Sequence, residues 1–255
     1  MYLRLVRLRL KDGSLWAFRR HWEERILPAL EGTKGCLYAA LLQASRGADT
    51  DSCDSLTLWE SAAHADAYVD GGLYDALLDG ADPFLAAATE WRADLAPSRP
   101  DDRPPLPDPE VETYPVALAR QAPGGIEEGA DFLRIVDVRI DPLRFDEAKR
   151  AFEEDVVPDL LATPGCRAAF VLEGLRGRSH ALSITFWTDE ASAVRYEAGG
   201  RFDALVARMR PFLSGLYEWR LSLAPDGGER GVRGSDLGVT GYRVLTGRRI
   251  RPAPG

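Results

Sequence analysis

Residues 2–10 alternate between two faces, with Arg4, Val6, Leu8 and Leu10 on one and Leu3, Leu5, Arg7 and Arg9 on the other. A period of two predicts a strand, and the scarcity of polar positions predicts that both faces are covered. Lys11-Asp12-Gly13-Ser14 reads as a turn, with Ser14 as a helix cap. From Leu15 to Leu30 the apolar residues Leu15, Phe18, Trp22, Ile26 and Ala29 recur every three or four positions, which predicts an amphipathic helix. That helix should end between Gly32 and Gly35, with Pro28 tightening or kinking its last turn. Strands are expected at 36–43 and 55–59, joined by a polar hairpin loop. Ser61 then caps a helix to about Val69, Gly71-Gly72 interrupts it, a further helical turn covers 73–78, and a last strand is expected at 89–95. The order β-α-β-β-α-β is that of a ferredoxin-like unit.

The whole pattern is written twice. Leu3-Arg4-Leu5-Val6 returns as Leu133-Arg134-Ile135-Val136, and Pro28, Gly35 and Cys36 return as Pro158, Gly165 and Cys166, all at an offset of 130. After a hairpin two residues shorter the offset is 128, and Trp59, Tyr68, Gly71-Gly72 and Trp91 recur as Trp187, Tyr196, Gly199-Gly200 and Trp219. A repeat of this length predicts an α+β chain of two tandem ferredoxin-like βαββαβ units. The expected boundaries are 1–97 for the first repeat, 98–130 for a Pro-rich linker with an extra extended segment, 131–225 for the second repeat, and 226–255 for a Gly-rich loop with a C-terminal extended segment. The extra segments are marked by Val111, Tyr114 and Val116, which recur as Val239, Tyr242 and Val244. A sheet with helices on one face leaves the other bare, so the second copy is expected to cover it, sheet to sheet.

Composition narrows the function classes. Hydrophobic residues make up 45% of 255 residues, enough for a proper core in each repeat, and the formal charge of -8 argues against a nucleic-acid partner. The chain has no apolar run of the ~20 residues a membrane helix needs, and Met1 leads directly into a strand, so neither membrane nor secretory routing is expected. Three cysteines fit a reducing cytoplasm and read as structural thiols.

Arg-Leu-Arg-Leu-Lys-Asp-Gly closing strand 1, a helix with Pro and a Gly-Cys exit, and Trp59-Glu60-Ser61 before the second helix resemble the antibiotic-biosynthesis-monooxygenase group of dimeric α/β barrels. The resemblance covers about residues 2–95 and 132–223. It implies a barrel normally made by homodimerisation and here made within one chain, with further homo-oligomers left open. It also implies one of three activities: oxidation of aromatic polyketides without a cofactor, haem degradation, or none. In haem-degrading members the iron-binding His falls where this chain has Leu78 and Val206, and neither can ligate iron. Where oxygenase-like members commonly place a His, this chain has Tyr68 and Tyr196, which can hydrogen-bond a phenol, quinone or enolate oxygen.

The three histidines, His21, His64 and His180, are unrepeated and form no visible metal cluster with carboxylates, so neither metal nor other cofactor is expected. Trp59 and Trp187 read as core or as walls of a flat aromatic pocket. Arg4 and Arg134 read either as members of an ion-pair network with Glu90, Arg92, Glu218 and Arg220 on the neighbouring last strands, or as anchors for a ligand anion. On the enzymatic reading Tyr68, His21 and Arg4 are the catalytic candidates, and Trp59, Tyr38, Trp16, Tyr196, Trp187 and Arg134 bind a small aromatic or quinone-like substrate. The first copy is expected to hold the pocket, because Trp16, His21 and Tyr38 stand where the second has Asp146, Ala151 and Ala168. The second reading is a barrel that binds an apolar ligand or a protein partner without turnover, and the third, the weakest, is a haem-binding protein.

Overall fold

The computed structural model describes residues 1–45, 52–86, 109–128, 130–173, 180–214 and 237–250. The expected last strands at 89–95 and its repeat, with Glu90, Trp91, Arg92, Glu218, Trp219 and Arg220, lie outside these residues, as does nearly all of the Pro-rich linker. The chain divides into two units: Met1–Gln43, Gly47–Thr113 and Leu245–Gly255 form the first, and Ala44–Arg46 and Tyr114–Val244 the second.

In the first unit β1 (Tyr2–Arg9) pairs antiparallel with β3 (Ser52–Trp59), Leu5 opposite Leu56, and β3 pairs with β2 (Cys36–Ala44). Helix α1 is continuous through Leu15–His21, Trp22–Ile26 and Leu27–Glu31; α2 is Ala62–Asp70 and α3 is Leu73–Ala81. The second unit repeats the plan with β5 (Phe132–Arg139), β6 (Cys166–Glu173) and β7 (His180–Trp187). Its helices are α4, through Phe145–Ala151, Phe152–Val156 and Val157–Leu161, then α5 (Glu190–Ala198) and α6 (Arg201–Met209). The extra segments are full strands, β4 (Glu110–Gln121) and β8 (Gly238–Arg249), and each changes unit part-way along. In the second unit β8 pairs antiparallel with β5, β5 with β7, β7 with β6 and β6 with β4. This is the α+β, ferredoxin-like architecture that the repeat predicts.

Alternation in β1 sends Val6, Leu8 and Leu10 beneath α1, where they join Phe18, Trp22, Ile26 and Leu30 in the core of the first unit. Those four helical residues are spaced by four throughout. In a straight α-helix a stripe of that period drifts around the axis, because one turn takes 3.6 residues. The middle of α1 is a π-turn, with Leu27 N–H donating to the Trp22 carbonyl, and its wider winding keeps the stripe on the sheet. Pro28 follows directly and has no N–H to restore the α pattern. The second unit does the same, with Val157 bonded to Phe152 ahead of Pro158. The sequence pattern predicts a tightened or kinked last turn at Pro28 and Pro158, and the structure has a π-turn just ahead of each.

Gly35 and Gly165, at φ of 80° and 91°, let the chain turn from helix to strand. A Cβ on Gly35 would stand 2.3 Å from His64 Cγ, and one on Gly165 2.5 Å from Ser192 Cβ, so each glycine also admits the next helix. Ser61 caps α2 by accepting the His64 N–H, as its position predicts, whereas Ser14 makes no side-chain cap bond. Cys36, Cys53 and Cys166 are free and buried; burial pushes the Cys36 and Cys166 thiols up to about 12, which suits inert core residues. Among the described residues no helix is long and apolar enough to cross a membrane.

Candidate functional site

The second unit holds a cavity of about 80 Å³ between its sheet and helices α4 and α6. By the same measure one water needs roughly 10–15 Å³, so the space takes several atoms of a ligand. Its walls are mainly aliphatic and aromatic, with Val136 and Val171 from the sheet and Ala148, Phe152, Phe202 and Val206 from the helices. Among the described lining residues the ionisable ones are Arg134, Lys149 and Tyr196.

Arg134 is carried by β5 on the helix-facing side of the sheet, and its side chain is 3% exposed. Its Nε donates to Glu197 Oε1 at 2.5 Å, and its guanidinium carbon lies 3.8 Å from the centre of the Phe202 ring and 5.7 Å from that of Tyr196. Nη2 is buried, with no hydrogen-bond partner among the described residues. This ion pair joins β5 to α5 within one unit. Tyr196 comes from α5, and its ring packs 5.1 Å from the fully buried Trp187. Trp187 is fixed in turn by donating Nε1–H to Thr185 Oγ1 at 2.8 Å. Burial pushes the Tyr196 phenol well above its ordinary range, further than the Arg134 charge pulls it down, so the group is a protonated donor and not a base.

The first unit has the matching pieces with less room. Arg4 lies over Tyr74 at 4.0 Å and Tyr68 at 5.7 Å, Trp59 donates to Thr57, and the space beside them is about 40 Å³. Phe18 and Trp22, both fully buried, occupy what Ala148 and Phe152 leave open in the second copy, and Leu78 stands where the second copy has Val206. The pocket expected in the first copy is therefore largely filled by its own side chains.

Of the residues singled out from the sequence, the structure brings together Arg4 with Tyr68 and Trp59, and Arg134 with Tyr196 and Trp187. It leaves out three. Trp16 is 71% exposed and lines neither cavity. His21 packs against Phe18 and Phe84 outside the cavity lining, and burial, then Arg25, lowers its pKa. Tyr38 is buried on β2 and lines neither cavity. Glu197 and Phe202 were not anticipated. Both break the repeat, standing where the first copy has Val69 and Tyr74, and comparing the two copies for volume and charge finds them. Among the described residues no group of three His, Cys, Asp or Glu is placed to hold a metal ion.

Residues 1–79 match the family described as antibiotic biosynthesis monooxygenase. The first unit is thus similar to an antibiotic biosynthesis monooxygenase domain. Solved structures share the fold of nearly the whole chain. A proposed monooxygenase from Fusobacterium nucleatum aligns over 99% of this chain and 95% of its own, with a TM-score of 0.67 and 9% identity. A proposed monooxygenase from Lactobacillus acidophilus aligns over 99% and 97%, at 0.65 and 7%. An anthrone oxidase-like protein aligns over 98% and 93%, at 0.51 and 17%. At these identities the likeness is one of fold. No curated protein matches the sequence. The antibiotic biosynthesis monooxygenase match ends at residue 79, so the cavity with the orphaned Arg134 N–H lies in the unit beyond it.

Proposed function

We propose that the chain is a monooxygenase-like enzyme whose working cavity is in the second unit, and that it oxidises a small aromatic or quinone-like compound without a prosthetic group. One observation carries this reading: among the described residues the buried Arg134 Nη2 has no partner, beside a cavity with apolar walls. Buried donors are nearly always satisfied, and an orphan of this kind costs about 1–3 kcal/mol. A ligand oxygen in the cavity would complete it. The ring system of the ligand would sit among Phe152, Phe202 and Val206, with Arg134 stabilising negative charge on the oxygen and Tyr196 positioned to donate to it.

That arrangement favours the phenolate or enolate over the neutral form, because a fixed cation in a low-dielectric site stabilises the anion. The proton passes to solvent, and the electron-rich anion is the species that reacts with dioxygen. For a methylene flanked by aromatic rings and conjugated to a carbonyl, one oxygen atom enters as a new C=O and the other leaves as water with the two methylene hydrogens. The substrate supplies all the electrons. The fold likeness to an anthrone oxidase-like protein makes anthrones the first compounds to test.

Binding without turnover is the second reading, and one observation favours it: the described lining residues include no carboxylate and no histidine to act as base. Dioxygen uptake with anthrones and hydroxynaphthalenes, followed by mass spectrometry of product formed under ¹⁸O₂, separates the two. Enzyme-dependent uptake with one ¹⁸O per product, lost in Arg134→Met, supports the enzyme. Saturable binding with no uptake leaves the carrier, and no binding of any of these compounds overturns the cavity reading.

A further inference from the structure

A second hollow opens beside the cavity. It measures about 270 Å³, shares Tyr196 and Leu205 with the cavity, and lies between the end of α4 and α6. Its character is polar, with Asp159, Thr163, Arg201 and Arg208 on its walls. Arg208 Nη1 is paired with Asp159 Oδ2 at 2.7 Å, which leaves little net charge there. Arg201 differs. Its Nη1 donates to Thr163 Oγ1 at 3.1 Å, and among the described residues it has no carboxylate partner. Thr163 is itself held by donating to the Asp159 carbonyl at 2.7 Å, so the hydroxyl presents a fixed acceptor that orients the guanidinium.

The charges are confined to the copy that has the larger cavity. At the positions of Asp159, Arg201 and Arg208 the first copy has Ala29, Leu73 and Gly80, all without charge. The second copy therefore combines a roomier apolar chamber with a cationic hollow that adjoins it through Tyr196 and Leu205.

We infer that this hollow is the entrance to the cavity and a carboxylate subsite, so that the ligand is an aromatic carboxylate with its ring system in the cavity and its acid group on Arg201. This rests on the proposed cavity and adds the chemical class of what enters it. A guanidinium matches a carboxylate with two parallel N–H donors, and Arg201 has the remaining donors to offer once Nη1 is on Thr163. The Arg208–Asp159 pair beside it keeps a second cation from overwhelming selectivity for a single acid group.

The test uses two fluorescent probes of one shape, 2-naphthoate and its uncharged counterpart 2-naphthamide, titrated into the full chain at neutral pH. The carboxylate should bind about fivefold tighter, a figure reduced from that of a buried charged hydrogen bond because the hollow is open to water. In Arg201→Leu, the residue the first copy has at this place, that preference should vanish while amide binding stays unchanged, which also shows that the variant is folded. Arg201→Lys should keep part of it. Equal affinities for the two probes in the natural chain, or a preference that survives Arg201→Leu, would overturn the subsite and leave the cavity reading in place. If neither probe binds, the subsite falls, and the cavity reading falls with it only if 2-naphthol fails to bind as well.

Discussion

Replacing Arg134 by Met should separate binding from stability, and the geometry says by how much. The side chain is 97% buried, so keeping its charge out of water costs several kcal/mol. The bond to Glu197 returns roughly 1.5–3 kcal/mol, and the contact with the Phe202 ring about 2 when desolvated. The orphaned Nη2 takes back about 1–3 kcal/mol. These contributions nearly cancel. Methionine keeps the reach and the contact with Phe202, and Glu197, 41% exposed, can turn to water. Arg134→Met should thus change stability by no more than about 1 kcal/mol, a shift of roughly 2–4 °C in the unfolding midpoint for a chain of this size. A ligand that uses Nη2 for its anionic oxygen should lose about ten- to a hundredfold in affinity. Differential scanning calorimetry and a titration with 2-naphthol, each on the natural chain and the variant, measure both quantities. A midpoint that falls by more than about 10 °C with affinity unchanged would make Arg134 a structural ion and end the argument.

Three further outcomes follow from the same structure. Ala148→Phe puts the side chain of Phe18 into the second cavity, so it should weaken binding of 2-naphthol at least about tenfold without lowering the unfolding midpoint, and unchanged affinity would place the ligand elsewhere. Asp189 caps α5 by accepting the Ser192 N–H, and that bond holds its carboxyl below the usual value; the stability it contributes is present above the unfolded carboxyl's range and is lost as pH falls through the folded value. Asp189→Ala should therefore cost about 1 kcal/mol at pH 7 and progressively less on acidification, as read from midpoints across pH; a difference that does not vary with pH would contradict it. Hemin titrated into the protein should give no sharp Soret shift to a histidine-ligated spectrum, because aliphatic Leu78 and Val206 line the two cavities; a stoichiometric complex that depends on His21 or His180 would refute this.

The architecture was legible from the residues because the evidence for it is local and doubled. Alternation in β1, the four-residue stripe of α1, the Gly35 and Gly165 turns and the Ser61 cap are short-range constraints, and each recurs in the second copy with little change, Asp189 taking the place of Ser61. Even the strands β4 and β8 are marked by three repeated residues each. The site was legible only in its pairs, Arg134 with Tyr196 and Arg4 with Tyr68, since both members recur with the repeat. What decided between the copies was volume and partnership in three dimensions. His21, Tyr38 and Trp16 looked like chemistry in a linear reading, yet one packs beside the cavity, one is core and one faces solvent. Phe18 and Trp22 looked like ordinary core, and their smaller counterparts open the second cavity. Hydrophobic period tells which face a residue joins, and only close packing tells whether that face is full.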